Sequence, residues 1–399
     1  MKFKRLLYVR AAGYLSMAAL ILVLLFVLFN TGGCDSKERV IKIGCQGVMT
    51  GEYKSFGEEQ MISARLAASK LSPVRVGGFD YDIEVVVKDD EGNPEKAFLV
   101  AREMVDEGVA AAIGSTFDGT TEVSLPVYEE YNIPLISPFA QKTEVSKEGN
   151  LFFRMIINNE QKVENIANFI RDEINPQKIL LINNREEYSI NLVDYLWSML
   201  TDYGIELAGT EPMAIEMEEE DAGIIAENLL IEGPDAIFFC GNYNEVADLM
   251  EKAGDAGLHS RFITETMGMD DNIFTLADAQ YLEGLIAVIP DPPSLARYSQ
   301  DSRAVSFWHD FKNYLEQTDG TDADIEGPGE YAPYCYDSVF IVIEAIKRAN
   351  SVLPGDFTDE LRAISYDGVA GHIEFDSNGD RLEPESTVFV VKDGAWVRY

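Results

Sequence analysis

The chain has 399 residues, beyond the roughly 250 to 300 at which a single hydrophobic core stops growing, so it reads as two domains with a cleft between them. Its 46% apolar, 11% aromatic and 25% charged residues are ordinary for a folded protein and argue against disorder. Lys and Arg number 32 against 69 Asp and Glu, a net charge of -37 with no basic stripe to meet phosphates, which excludes a nucleic-acid reader and leaves a soluble, self-repelling acidic surface.

At the N-terminus MKFKRLLYVR carries all the charge of residues 1–33, and an uncharged run follows over residues 11–29. Its strongly apolar part, residues 17–29, has the length of a signal-peptide core, while the whole run is just long enough to span a bilayer. NTGGCDSKE then places small residues directly before Cys34 and resembles a bacterial lipoprotein signal, in which cleavage leaves that Cys lipid-modified. Two readings stay open: residues 1–33 are a lipoprotein-type signal peptide with Cys34 lipidated, or the N-terminal helix stays uncleaved as a membrane anchor. Both put the folded part outside the cytoplasmic membrane, periplasmic or on the outer face, because Lys2, Lys4, Arg5 and Arg10 favour the inside.

After the leader, apolar runs end in Gly, Asn, Asp or Ser: VIKIGCQG, DIEVVVKDD, AAAIGS, IPLISP, KILLINN, AIFFCGN, RFIT and GLIAVIP. Short continuous apolar runs of this kind are buried parallel strands covered on both faces. Helical patterns lie between them. In NPEKAFLVAREMVDEGV, Asn93 caps, Pro94 fits the first turn, Ala97, Val100, Ala101, Met104 and Val105 make one stripe, and Gly108 stops the helix. EVADLMEKAGDAGL and SVFIVIEAIKRAN repeat the arrangement, which makes the chain a doubly wound α/β protein.

Ligands of such sheets sit beyond the carboxyl ends of the strands, so IGSTFDGTTE, and likewise SPFAQKTE, NNREEYS, GNYNE and TETMGMDD, are candidate ligand loops. The last segment, GHIEFDSNGDRLEPESTVFVVKDGAW, alternates about an Asn-Gly-Asp turn and reads as a hairpin returning to an earlier sheet. Cys45 and Cys240 act as small hydrophobes, and with Cys335 they make neither a disulfide framework nor a metal motif. His259, His309 and His372 are isolated, and no cofactor or metal is expected.

IKIGCQGVMTGEYKSFGEEQ, VVVKDDEGNPEKAFLVAREMVDEGVAAAIGS, YNIPLISPFAQKTEV, INNREEY and GHIEFDSNGD, in that order and spacing, resemble the substrate-binding proteins of ABC importers for branched-chain amino acids and related ligands, of the type I periplasmic-binding-protein fold. The resemblance implies two α/β lobes with mainly parallel sheets, joined by three crossings and closing like a clamshell. Lobe 1 is then 38–156 plus 290–385, and lobe 2 is 157–289 plus 386–399. The crossings fall near residues 155–158, 287–290 and 385–387.

The same resemblance implies a ligand site. Asp118 falls where the family holds its ligand's carboxylate with a Ser, and an ionised Asp would repel that group. Gln141 aligns with a Thr that contacts the amino acid, and Thr266, with Glu265 beside it, aligns with the acid that meets the ammonium. Phe56, Phe139 and Ala140 align with walls around the side chain, and Phe117 belongs to the same strand-end loop as Asp118. Tyr188 keeps a Tyr of the second lobe, Asn242 replaces another with Tyr243 adjacent, and Tyr331 falls near an aromatic wall. The family disulfide is missing, its positions being Gly92 and Phe117. Asp118 and Gln141 suit a ligand offering a donor or cation, such as an amide, urea-like or amine compound, whereas a one-residue shift would bring Thr116 or Thr120 to the site and restore an amino acid.

The implied function is an extracytoplasmic solute-binding lipoprotein delivering a small polar ligand to an ABC permease, tied to the membrane through Cys34 or the N-terminal helix. A ligand-sensing module of the same fold reporting to a signalling partner is the alternative. No GxSxG, HExxH, P-loop or Cys/His metal spacing supports an enzyme.

Overall fold

A computed structural model describes residues 39–215, 229–290, 302–317, 325, 327–382 and 386–399. The predicted signal peptide, Cys34 and Glu385 of the third predicted crossing lie outside the described residues.

The first sheet is drawn from β1 (Val40–Gly47), β2 (Val74–Val76), β3 (Phe79–Asp89), β4 (Ala111–Ile113), β5 (Leu135–Ser137) and β6 (Phe152–Arg154), in the order β2-β3-β1-β4-β5-β6. β1, β4, β5 and β6 pair in parallel, and β2 pairs antiparallel with β3. Helices α1 (Lys54–Leu71), α2 (Pro94–Glu107) and α3 (Asp118–Glu130) make the crossovers. Alternation along β4 shows why this strand reads as an unbroken apolar run. Ala111 and Ile113 face one core cluster, and Ala112 between them faces the other, so both sides are dry.

Helix α2 begins and ends as its sequence dictates. The Lys96 backbone N–H donates to the Asn93 side chain at 3.1 Å, Pro94 opens the helix, and Gly108 closes it in the left-handed conformation at φ 75°.

The second sheet follows α4 (Asn159–Phe169) and contains β7 (Lys178–Asn183), β8 (Glu206–Leu207), β9 (Met213–Ala214), β10 (Ala236–Cys240), β11 (Arg261–Thr264) and β12 (Ile286–Pro290). Helices α5 (Glu187–Asp202) and α6 (Tyr243–Asp255) and the short α7 (Ile273–Leu276) and α8 (Ala279–Leu282) connect them. Again the strands are two-faced: Leu180 and Ile182 of β7 enter one core, and Ile179 and Leu181 the other.

Helices α9 (Ser302–Gln317), α10 (Ala332–Ala349) and α11 (Pro354–Arg362) then pack onto the core of the first sheet through Phe307, Phe311, Val339, Ile346, Phe357 and Leu361. Finally β13 (Ser365–Gly368), β14 (Gly371–Glu374), β15 (Ser386–Lys392) and β16 (Ala395–Arg398) close the chain. The second sheet runs β16-β15-β12-β11-β10-β7-β8, with β9 also on β7.

The C-terminal hairpin expected around Asn378-Gly379 is not formed as a ladder. β14 pairs with β13 and β15 pairs with β16, giving two hairpins, while among the described residues the Asn-Gly-Asp turn is spanned by the Phe375–Arg381 bridge and by the Asp376 and Leu382 N–H groups, which donate to the Asp380 and Glu374 carbonyls at 2.8 Å each. The apolar alternation was read correctly, but the partner of each strand depends on the whole sheet. β15 does join an earlier strand, pairing antiparallel with β12 in the register Val288 opposite Val388.

Candidate functional site

Immediately after β4, Gly114 takes φ +127°, and a Cβ there would collide with the Gln46 carbonyl, so only glycine lets the loop pass so close to β1. A buried polar network then holds the loop. Gln46 Nε2 donates to Asp90 Oδ2 at 3.2 Å and to Ser124 Oγ at 2.9 Å, and the Tyr128 hydroxyl donates to Gln46 Oε1 at 2.7 Å. Ser115 donates its hydroxyl to the same Asp90 carboxylate. Thr116 Oγ1 accepts from the Val48 backbone N–H at 3.1 Å. Thus Thr116, Phe117 and Asp118 are presented in a fixed order at the start of α3.

Asp118 is turned to the neighbouring strand-end loop. Its Oδ1 accepts the backbone N–H of Gln141 at 2.9 Å and of Lys142 at 3.1 Å, which joins the loop after β4 to the loop after β5. The Phe117 ring covers Gly92, where a Cβ would lie only 2.6 Å from it, and packs edge-on against Tyr53 at 5.5 Å. The two positions of the missing disulfide are therefore joined by an aromatic contact instead.

Phe139, Ala140 and Gln141 follow β5. The Phe139 ring lies 4.9 Å from Tyr331, which in turn meets Phe56 of α1 edge-on at 5.9 Å. Tyr331 stands just before α10, where the Ala332 backbone N–H donates to Glu59 Oε1 at 2.6 Å. Burial pushes the Glu59 carboxyl up to about 7, although the backbone N–H donors of Ala332, Gly329 and Tyr331 pull the other way.

From the second sheet come the starts of α4 and α5. Asn158 caps α4, accepting from the Gln161 backbone N–H at 2.8 Å, and the Gln161 side chain accepts from the Asn158 N–H at 3.1 Å. Asn159 is the first helical residue, and its Oδ1 is buried without a hydrogen-bond partner. One turn on, Lys162 Nζ lies 2.6 Å from the Tyr188 hydroxyl and 3.3 Å from Glu265 Oε2. Burial works against the Lys162 ammonium, but Glu265, Glu330 and Tyr331 outweigh it and hold its pKa above the usual lysine value.

These elements enclose a cavity of about 220 Å³ lined by Phe56, Thr116, Phe117, Asp118, Phe139, Gln141, Asn159, Tyr188 and Tyr331. Seven of them are residues that the sequence picks out for the site. Thr116 enters directly rather than in place of Asp118, and Thr120 is turned back onto the Phe117 carbonyl at 2.9 Å. Asn159 was not foreseen, since an Asn opening an amphipathic helix reads as an ordinary cap.

Five of the selected residues are not on the cavity wall. Ala140 is buried, its N–H donating to Ser137 Oγ at 2.9 Å and its carbonyl accepting from the Arg154 guanidinium. Asn242 precedes α6 and gives its N–H to Glu245 at 2.7 Å, while Tyr243 packs on the core of the second sheet. Thr266 lies in a turn after β11. Glu265, at 0% exposure, sits behind Tyr188, whose hydroxyl donates to it at 3.1 Å, and its Oε1 accepts from the Met267 N–H at 3.1 Å. That acid is committed to Lys162 and Tyr188.

Residues 40–395 match the family model described as periplasmic binding protein. The Leucine-, isoleucine-, valine-, threonine-, and alanine-binding protein of Pseudomonas aeruginosa is 24% identical over 352 residues, 88% of this chain and 89% of its own. A branched-chain amino acid transporter substrate binding protein of Streptococcus pneumoniae, solved in complex with isoleucine, superposes with a TM-score of 0.66 at 20% identity, covering 90% of this chain and 99% of its own. A solute binding protein of an ABC transporter from R. palustris, in complex with benzoate, superposes at 0.65 and 16% identity over 90% of this chain and 95% of its own.

Proposed function

The chain belongs to the periplasmic binding protein family, and from that premise we propose that it is an extracytoplasmic solute-binding lipoprotein that captures a small polar ligand and delivers it to an ABC permease. The ligand classes are an amino acid, an amide, a urea-like compound or an amine. The observation that carries this reading is the cavity itself, walled by the strand-end loops after β4 and β5 of one sheet and by the starts of α4 and α5 beside the other. Crevices beyond the carboxyl ends of parallel strands are where α/β proteins hold ligands. At about 220 Å³ this one is smaller than the roughly 300 to 1,000 Å³ that drug-sized ligands occupy, which suits a metabolite of amino-acid size.

We take residues 38–156 with 290–385, and 157–289 with 386–399, as the two lobes, and Cys34 as the lipid attachment. Ligand bridging the lobes would stabilise their closed arrangement, and the permease would read that arrangement. Amino-acid binding by the Pseudomonas and Streptococcus relatives supports the solute-binding role. The benzoate complex of the R. palustris protein supports leaving the ligand class open.

A thermal-shift screen against amino acids, amides, amines and sugars tests this. A true ligand at about 100 times its dissociation constant adds roughly 2.7 kcal/mol of stability. Stabilisation by no small molecule, together with stabilisation by a signalling partner, would favour the sensory role instead.

A further inference from the structure

The solute-binding role is the premise of this inference, which concerns the charge of the solute. Polar groups around the cavity divide into those already satisfied inside the chain and those left open. Several of the donors an anion would need are taken, although the first-turn N–H groups of α3 have no side-chain cap. The backbone N–H groups of Gln141 and Lys142 both go to Asp118 Oδ1, the Tyr188 hydroxyl goes to Glu265, and the start of α4 is closed by its own Asn158 and Gln161. Of the nearby cations, Lys162 is buried against Tyr188 and Glu265, and the exposed Lys142 pairs with Glu122 at 2.7 Å.

Two acceptors also remain open. Asn159 Oδ1 is buried and unpartnered, and among the described residues Asp118 Oδ2 takes no hydrogen bond. An unpaired buried acceptor is costly, and a ligand that donates to it removes that cost. Thr116, Gln141, Tyr331 and, through its Nδ2, Asn159 can each donate or accept, so the discrimination falls to the Asp118 carboxylate. Five aromatic rings, Phe56, Phe117, Phe139, Tyr188 and Tyr331, complete the wall, and aromatic faces attract cations. Asp118 on the wall and Glu265 behind Tyr188 add negative field, as does Glu330 beside Tyr331 to the extent that burial leaves it ionised, against the positive charges of Lys162 and, near Asp118, the Glu122-paired Lys142.

We propose that the cavity selects a small organic cation, an N–H-bearing amine on an apolar body, its ammonium held between Asp118 Oδ2 and Asn159 Oδ1, over the amino acid or carboxylic acid with the same body. Asp118 then plays two parts, filling with one oxygen two of the donors an anion would use and offering the other to the cation.

Two matched sets of ligands test this by calorimetry at pH 7: leucine, 3-methylbutylamine and 4-methylpentanoate, and phenylalanine, 2-phenylethylamine and 3-phenylpropanoate. The amine of at least one set is expected to bind more than tenfold tighter than its two partners. Asp118→Asn keeps an acceptor for the Gln141 and Lys142 N–H groups, so the ligand-free melting temperature should hold. Its affinity for that amine should fall about 10- to 100-fold, the range for losing a hydrogen bond to a charged group.

An amino acid or acid binding as tightly as its amine, or an amine affinity untouched by Asp118→Asn, would overturn the inference while leaving solute binding intact. Binding of none of the six would overturn it too, and the wider thermal-shift screen would then decide separately whether solute binding stands.

Discussion

Arg154 and Lys162 lie eight residues apart, and both are buried cations paired with a carboxylate, Arg154 with Asp380 at 2.7 Å and Lys162 with Glu265 at 3.3 Å. Arg154 also donates to the Ala140 carbonyl, to the Lys142 carbonyl at 2.9 Å and to Ser146 Oγ at 2.6 Å, while Asp380 Oδ2 accepts from Asn158 at 3.0 Å. Its fork thus ties the loop carrying Gln141 to the cap of the helix carrying Asn159. Among the described residues Lys162 hydrogen-bonds only to Tyr188 and Glu265, directly behind the cavity wall. A planar fork with several fixed donors shapes backbone, whereas a compact ammonium places charge. The first pair therefore sets the geometry of the site, and the second sets its field.

The comparison is broken most severely at Arg154. Arg154→Met leaves Asp380 buried without its cation and the Ala140 carbonyl without a donor, and should cost about 3 to 5 kcal/mol in chemical denaturation. Lys162→Met should cost somewhat less, about 3 kcal/mol, because the Tyr188 hydroxyl still donates to Glu265. Adding Glu265→Gln should recover most of that loss, since the buried charge goes with its partner, whereas Asp380→Asn should not rescue Arg154→Met.

A third expectation concerns pH. Folding raises the Glu59 pKa from the usual 4.5 to about 7, so between these values the folded protein holds a proton that the unfolded chain has shed. Stability from this group is therefore greatest below about pH 4.5 and falls as pH rises to about 7. Measured as the difference between Glu59→Gln and the parent, the variant should gain on the order of 2 to 3 kcal/mol across that window. A flat difference would mean that Glu59 titrates normally. The smallest effect is expected far from both ion pairs: Asn93→Ala removes the cap of α2 and should cost about 1 kcal/mol without touching ligand affinity.

Much of this fold was legible because burial on both faces writes itself into consecutive residues. VIKIGCQG is β1 to the residue, and the ends of AAAIGS and IPLISP mark two of the loops that reach the cavity. Pairing was not legible, because a strand's partner is set by the rest of the sheet, as β14 and β15 show by turning to β13 and β16 rather than to each other. The strand-end loops supplied Phe117, Asp118, Phe139 and Gln141, yet Lys162 escaped notice. On an amphipathic helix a Lys reads as solvated, and it is chiefly Glu265, 103 residues away, that makes its burial tolerable. The same distance explains why Glu265 read as free to meet a ligand when it is already paired.

The Gln141 side chain lines the cavity while its backbone N–H holds Asp118, so Gln141→Trp fills the cavity and leaves that hydrogen bond in place. Titrating the solute identified by thermal shift into the parent and into this variant by calorimetry is the most direct test of the binding site. One solute per chain should bind the parent, and binding to the folded variant should be lost. Equal affinity for both would place the solute elsewhere and would be incompatible with the site described.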